Sequence, residues 1–168
     1  VEEYLERQKV KHRGVARFPS FHLWPHVALW AVQSATVRGT AAWWAISGNV
    51  VMTSGNLPWQ DGKLIYTGRI GRELSGDEGY LSCQLSCLNA IAQIKEAVGE
   101  LTNVKRIIRL EGTMGVDENY KDHPKCLNGA SDLINEAFQD KGRHTRMIYT
   151  NPVMPLDCTS LVVLYAEI

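Results

Sequence analysis

The stretch Gly48-Asn49-Val50-Val51-Met52-Thr53-Ser54-Gly55-Asn56-Leu57-Pro58 constrains this chain more than any other. It reads as a turn, a short apolar strand and a small-residue corner closed by proline. Gly48 and Asn49 tolerate positive φ and so suit a turn. Val50, Val51 and Met52 form an apolar run whose β-branched members favour a strand. Ser54, Gly55 and Asn56 then place a hydroxyl, bare backbone and an amide at the strand's end. Such a corner serves either as an ordinary strand end or as a wall for a small polar ligand.

The rest of the chain alternates between strand and helix patterns. Lys63–Tyr66 reads as the hairpin partner of the Val50–Thr53 strand, after a turn at Gln60-Asp61-Gly62. Ser75 is an N-cap followed by Asp77 and Glu78. The helix it starts should run to about Val98, with Leu81, Leu85, Leu88, Ile91, Ala92 and Val98 as its apolar stripe and Gly99 as its C-cap. A strand is predicted over Val104–Glu111, loosened from Gly112 to Gly115. A second helix is predicted over Pro124–Phe138, with Leu127, Ala130, Leu133, Ile134 and Phe138 on its apolar side. Arg146–Tyr149 and Leu161–Tyr165 are further strands, the last apolar on both faces and therefore central. The order ββαβαββ predicts an α+β fold, one sheet with two helices on one face. The opposite face then lacks a cover within the chain, which predicts an oligomer.

Residues 12–46 behave differently. They hold four of the five tryptophans and three of the five histidines, and no acidic residue. Periodicity is poor there, and aromatic packing against the body or a neighbour is the expected role. The chain is thus read as one domain of 168 residues, with 1–47 an atypical Trp-rich extension.

Charge excludes some partners. Eighteen basic residues balance 18 acidic ones, so no net field draws nucleic acid or anionic membrane. The basic run from Arg7 to Arg17 is the one local exception, and it reads as a solvated arm. No apolar run is long enough to span a membrane. The charged opening Val1–Arg7 does not read as a signal peptide, so a cytoplasmic location is expected. Cys83, Cys87, Cys126 and Cys158 lack metal-site spacing and are expected to be buried free thiols; neither a metal nor a cofactor is expected.

The block Gly48–Pro58 resembles the signature of the Rid family, also called YjgF or L-PSP-like proteins, with Asn56 where glutamine is usual. The likeness continues through Asp61–Leu64, Thr67–Gly71, Leu88–Ala90, Val104–Gly112, Leu127–Leu133 and Gly142–Arg146. Glu3–Arg7 also fits a branch with a longer N-terminal helix. The resemblance implies a homotrimer of chorismate-mutase-like subunits with ligand clefts between them. It further implies hydrolysis of reactive enamines and imines to ketoacids and ammonia, and some members are described as endoribonucleases.

Residue by residue, Arg146 matches the family's ligand-binding arginine. Its planar fork suits a small carboxylate, at about 1.5–3 kcal/mol per charge-assisted bond. Asn128 matches the helix asparagine near the cleft. Ser54 and Asn56 match the polar corner, and Ser54, without a His/Asp partner, is a hydrogen-bonding group and not a nucleophile. Leu161 stands where the family's deaminases carry a glutamate that positions water, and Val163 is the next inward position. Glu167 is a poor substitute by spacing, Ile148 replaces a frequent cysteine, and the usual tyrosine falls near Ala41. Three functions follow: an imine or enamine deaminase, a non-catalytic binder of small carboxylates or regulatory trimer, and an endoribonuclease. The lack of net positive charge and of a paired histidine constellation argues against the last.

Overall fold

The structure is a computed structural model that describes residues 41–168. The basic arm, the family-like opening and most of the Trp-rich stretch lie outside the described residues. The chain forms β1 (Trp44–Ser47), β2 (Val50–Thr53), β3 (Trp59–Gln60), β4 (Lys63–Leu64), α1 (Gly76–Val98), β5 (Arg106–Gly115), α2 (His123–Phe138), β6 (Thr145–Asn151) and β7 (Ser160–Glu167). The main sheet runs β1-β2-β7-β5-β6, with β5 and β6 parallel and the other pairs antiparallel. This is the expected α+β sheet with two helices.

One pairing differs from expectation. Lys63 and Leu64 do not pair with β2; they close a separate hairpin on Trp59 and Gln60. Asp61 and Gly62, at φ 49° and 73°, form its tight turn. The partner of β2 is β1, across a two-residue Gly48-Asn49 turn with Gly48 at φ 60°. β1 lies in the Trp-rich stretch, and Trp44 packs against the core from it. The second departure is β5, which continues through Gly112 to Gly115. Gly112 does not loosen the strand: it leaves room for Leu127 of α2 to rest on the sheet.

β7 occupies the centre, between β2 and β5. Its residues alternate strictly: Ser160, Val162, Leu164 and Ala166 are sealed against the helices, while Leu161, Val163, Tyr165 and Glu167 are half-buried on the other face. α1 lies over β7 and β2, and α2 over β5. α1 starts and stops where the sequence predicts. Ser75 and Glu78 form a capping box, and Gly99 ends the helix at φ 79°. Its deepest face is not the leucine stripe but Cys83, Cys87, Ala90 and Ile94, at i, i+4, i+7 and i+11. Small residues dominate because the helices approach closely: a side chain at Gly129 of α2 would run into the Tyr80 carbonyl of α1.

The sheet's other face presents Met52, Leu161, Val163 and Tyr165 half-buried, and Met147 and Tyr149 at 42% and 47% exposure. Both described α-helices pack on the opposite side. None of the described helices is long and apolar enough to cross a membrane.

Candidate ligand-binding site

Gly142 is buried against the last turn of α2, where a Cβ would stand 2.7 Å from the Ile134 carbonyl oxygen. That close reversal aims β6 back beneath α2. Arg146 is the second residue of β6, and its side chain rises to α2, where Asn128 and Ser131 stand one turn apart. Arg146 Nη1 donates to Asn128 Oδ1 at 2.7 Å and to Ser131 Oγ at 3.4 Å. Ser131 Oγ also meets His144 Nε2 at 3.1 Å, and His144 Nδ1 meets the Gly142 carbonyl at 2.6 Å. Among the described residues Arg146 forms no salt bridge. It is an exposed cation held by neutral acceptors, so its charge remains available to an anion.

The corner after β2 is built by different contacts. Ser54 Oγ donates to the Ala42 carbonyl at 2.6 Å, and Ser54 N to the Trp43 carbonyl. Asn56 is buried and exchanges backbone bonds with Val162 of β7. Its side-chain amide donates to Ser54 O at 2.7 Å and to Gln93 Oε1 at 3.3 Å. Asn89 donates to the carbonyls of Leu57 and Trp59. The corner is thus fixed from beneath by polar residues of α1. Gly55 is exposed, and Leu161 lies against it.

The four candidate residues therefore fall into two groups. Arg146 and Asn128 are in contact. Ser54 and Asn56 sit at the end of β2, three strands from β6, or about 14 Å at the usual strand spacing. Ser131 and His144 escaped the sequence reading, although both lie in the stretches that carry the resemblance. Their signal was spacing: Ser131 is i+3 from Asn128 on a helix, and His144 is two residues from Arg146.

Other chemistry is scarce. Among the described residues no group of three or more His, Cys, Asp or Glu side chains could hold a metal. All four cysteines are free and buried. Burial pushes the Cys83 and Cys87 thiols far above their ordinary range and the Cys158 thiol up to about 11, so none is a ready nucleophile at neutral pH.

A family profile described as "YjgF/chorismate_mutase-like, putative endoribonuclease" matches residues 27–168. The chain belongs to this YjgF family. The match begins within the Trp-rich stretch. Among solved structures, "a putative endoribonuclease" from Shewanella oneidensis MR-1 is 47% identical, with a TM-score of 0.78 over 86% of this chain and 99% of that one. Atu1372 from Agrobacterium tumefaciens, described as of unknown function, is 27% identical at a TM-score of 0.76, covering 88% of this chain and 97% of that one. Protein TCP17 of Trypanosoma cruzi is 34% identical over 101 residues, 60% of this chain and 63% of that protein. The chain thus matches under two thirds of that relative's length.

Proposed function

We propose that this YjgF-family chain binds small 2-imino and 2-keto carboxylates through Arg146, in clefts between subunits of a homotrimer, and hydrolyses the imines. The observation that carries the reading is an arginine with no carboxylate partner among the described residues, oriented by Asn128 and Ser131. Hydrolysis adds water across the C=N bond, expels ammonia and leaves the ketoacid. A labile imine gains most from being held in one pose, so positioning alone gives useful acceleration. The trimer is supported by the apolar outer sheet face and by the distance between Arg146 and the Ser54-Asn56 corner. Two subunits bring together what one keeps apart. Buried free thiols support a reducing compartment such as the cytoplasm.

The experiment is ammonia release in a system that generates 2-aminoacrylate. Acceleration over buffer, lost in Arg146→Ala, supports the proposal; no acceleration removes the catalytic half. Sedimentation as a monomer removes the intersubunit cleft.

Leu161 favours a second reading, a carboxylate binder without catalysis, because a leucine can neither orient water nor relay a proton. Calorimetry with ketoacids separates the two: Arg146-dependent binding without ammonia release selects the binder. RNA cleavage abolished by a single change near Arg146 selects the endoribonuclease reading over both.

A further inference from the structure

An arginine offers a carboxylate two forks, one end-on across both Nη atoms and one side-on across Nε and Nη2. In this chain the two are not equivalent. Nη1 carries two hydrogens, and it points them at Asn128 Oδ1 and Ser131 Oγ. Among the described residues Nε and Nη2 have no such partner.

The contacts behind Nη1 have a fixed direction. The Gly142 carbonyl can only accept, so His144 Nδ1, 2.6 Å away, carries the proton and donates. In the neutral ring Nε2 is then an acceptor, and its partner at 3.1 Å is Ser131 Oγ. Ser131 has one hydrogen, which goes to His144. Its lone pairs are left for Arg146. Only 9% exposed, Ser131 has little water with which to trade partners. Arg146 thus donates to Ser131, Ser131 to His144, and His144 to the backbone.

We infer that Ser131 and His144 are positioning residues that commit Nη1 of Arg146 to α2, so that a ligand carboxylate docks side-on, across Nε and Nη2. This rests on the carboxylate reading above and sharpens it. An anion on that edge cannot also take the end-on pose, because Nη1 has no hydrogen to spare. One carboxylate orientation fixes where the rest of a small substrate projects from β6. The selectivity is for geometry, and a lysine at position 146 would not supply it.

The test uses the full chain labelled with 15N-arginine, with pyruvate as the probe. In the free protein, Ser131→Ala and His144→Ala should speed rotation about the Cζ–Nη bonds of Arg146 and merge its Nη signals. On titration, pyruvate should move the Nε–H signal of the unaltered protein. The same two variants should bind pyruvate about 3- to 10-fold more weakly. Ser131→Thr, which keeps the hydroxyl, and His144→Gln, which keeps an acceptor, should restore both readouts. A loss of folding would not be rescued in this pattern. Arg146-dependent pyruvate binding that is unchanged in Ser131→Ala, or that moves both Nη signals and not Nε, overturns the inference. Ser131-dependent restraint in the free protein with no pyruvate binding upholds the positioning roles and overturns the carboxylate reading instead.

Discussion

Leu161 lies across Gly55: a Cβ built on Gly55 would stand 2.8 Å from Leu161 Cδ2. Two features noticed separately in the sequence, the small corner after β2 and the leucine where relatives are expected to carry an acid, are therefore one contact. Leu161 faces away from the helices, at the register of Thr113 on β5. The corner is floored by amides of α1 and flanked by hydrocarbon. The Ser54 hydroxyl and the Asn56 amide are committed to internal bonds, and Leu161 brings no group for moving a proton to this corner.

Position 161 is accordingly the place to look for missing catalysis. Leu161→Glu sets a carboxylate beside Gly55 and within the proposed cleft. General-base assistance of this kind is worth about 100-fold or more in a well-placed site. A graft without tuned surroundings should deliver less, and we expect imine hydrolysis to rise at least about tenfold. Ammonia release in the 2-aminoacrylate system measures it. An unchanged rate in a folded variant would show that water activation is not what limits this site.

Two glycines of the core invite the same substitution and should respond differently. At Gly129, a new methyl meets the Tyr80 carbonyl of α1, a backbone atom fixed by its helix. At Gly112 it meets the side chain of Leu127, whose methyl groups can swing away. Gly129→Ala must push α2 off α1 and should cost about 3 kcal/mol or more, whereas Gly112→Ala should cost about 1–2 kcal/mol. Urea unfolding of both variants checks the order, and equal losses would mean that the helices slide apart easily.

Local signals made the elements legible, and long-range geometry was what they lacked. Ser75, Glu78 and Gly99 mark the ends of α1 because capping is decided within a turn. Asp61-Gly62 marks a true hairpin, but a turn cannot tell which strand reaches the main sheet. Gly48-Asn49 carried an equal signal for β1, which the surrounding tryptophans obscured. The buried face of α1 was legible in part: Leu85, Ile91 and Ala92 are buried as expected, while close helix packing puts the smaller Cys83, Cys87 and Ala90 deepest. Arg146 and Asn128 were legible as a motif. That Ser54 and Asn56 lie three strands away follows only from the strand order.

Ser82, Ser86 and Ser160 form a hydroxyl cluster sealed between α1 and β7. Ser160 Oγ lies 2.7 Å from Ser82 Oγ and 2.8 Å from Ser86 Oγ, and all three are fully buried. Ser160→Ala removes the shared partner, leaving Ser82 Oγ without it and Ser86 Oγ with only the Ser160 carbonyl, 3.5 Å away. It should cost about 1–3 kcal/mol. Replacing all three serines by alanine removes every polar group at once and should cost less than Ser160→Ala alone, since no unpaired hydroxyl is left. Chemical denaturation of the two variants decides; a triple variant less stable than the single one would mean that the hydroxyls stabilise through packing.

The capping box of α1 gives the last prediction a pH signature. Ser75 Oγ accepts from Glu78 N at 3.2 Å, while Glu78 Oε2 accepts from the Ser75 backbone N–H and hydroxyl, both at 2.8 Å. These bonds, the backbone N–H first, hold the Glu78 carboxyl below its ordinary value of 4.5. A carboxyl depressed in the folded state stabilises the fold in full above its ordinary value, and that contribution is lost as pH falls through the folded value. Glu78 is exposed, so solvent screens the ionic part, and the cap bonds dominate. Ser75→Ala should therefore cost about 1 kcal/mol near neutral pH. The gap to the unaltered protein should narrow as carboxyls protonate: the variant keeps the backbone N–H donor to Glu78 and lacks only the hydroxyl, whose bond to the carboxylate the unaltered protein then loses too. Urea unfolding of both proteins at about pH 7 and about pH 3 measures the two gaps. A gap of equal size at both would place the whole effect in the serine hydroxyl and none in the carboxylate.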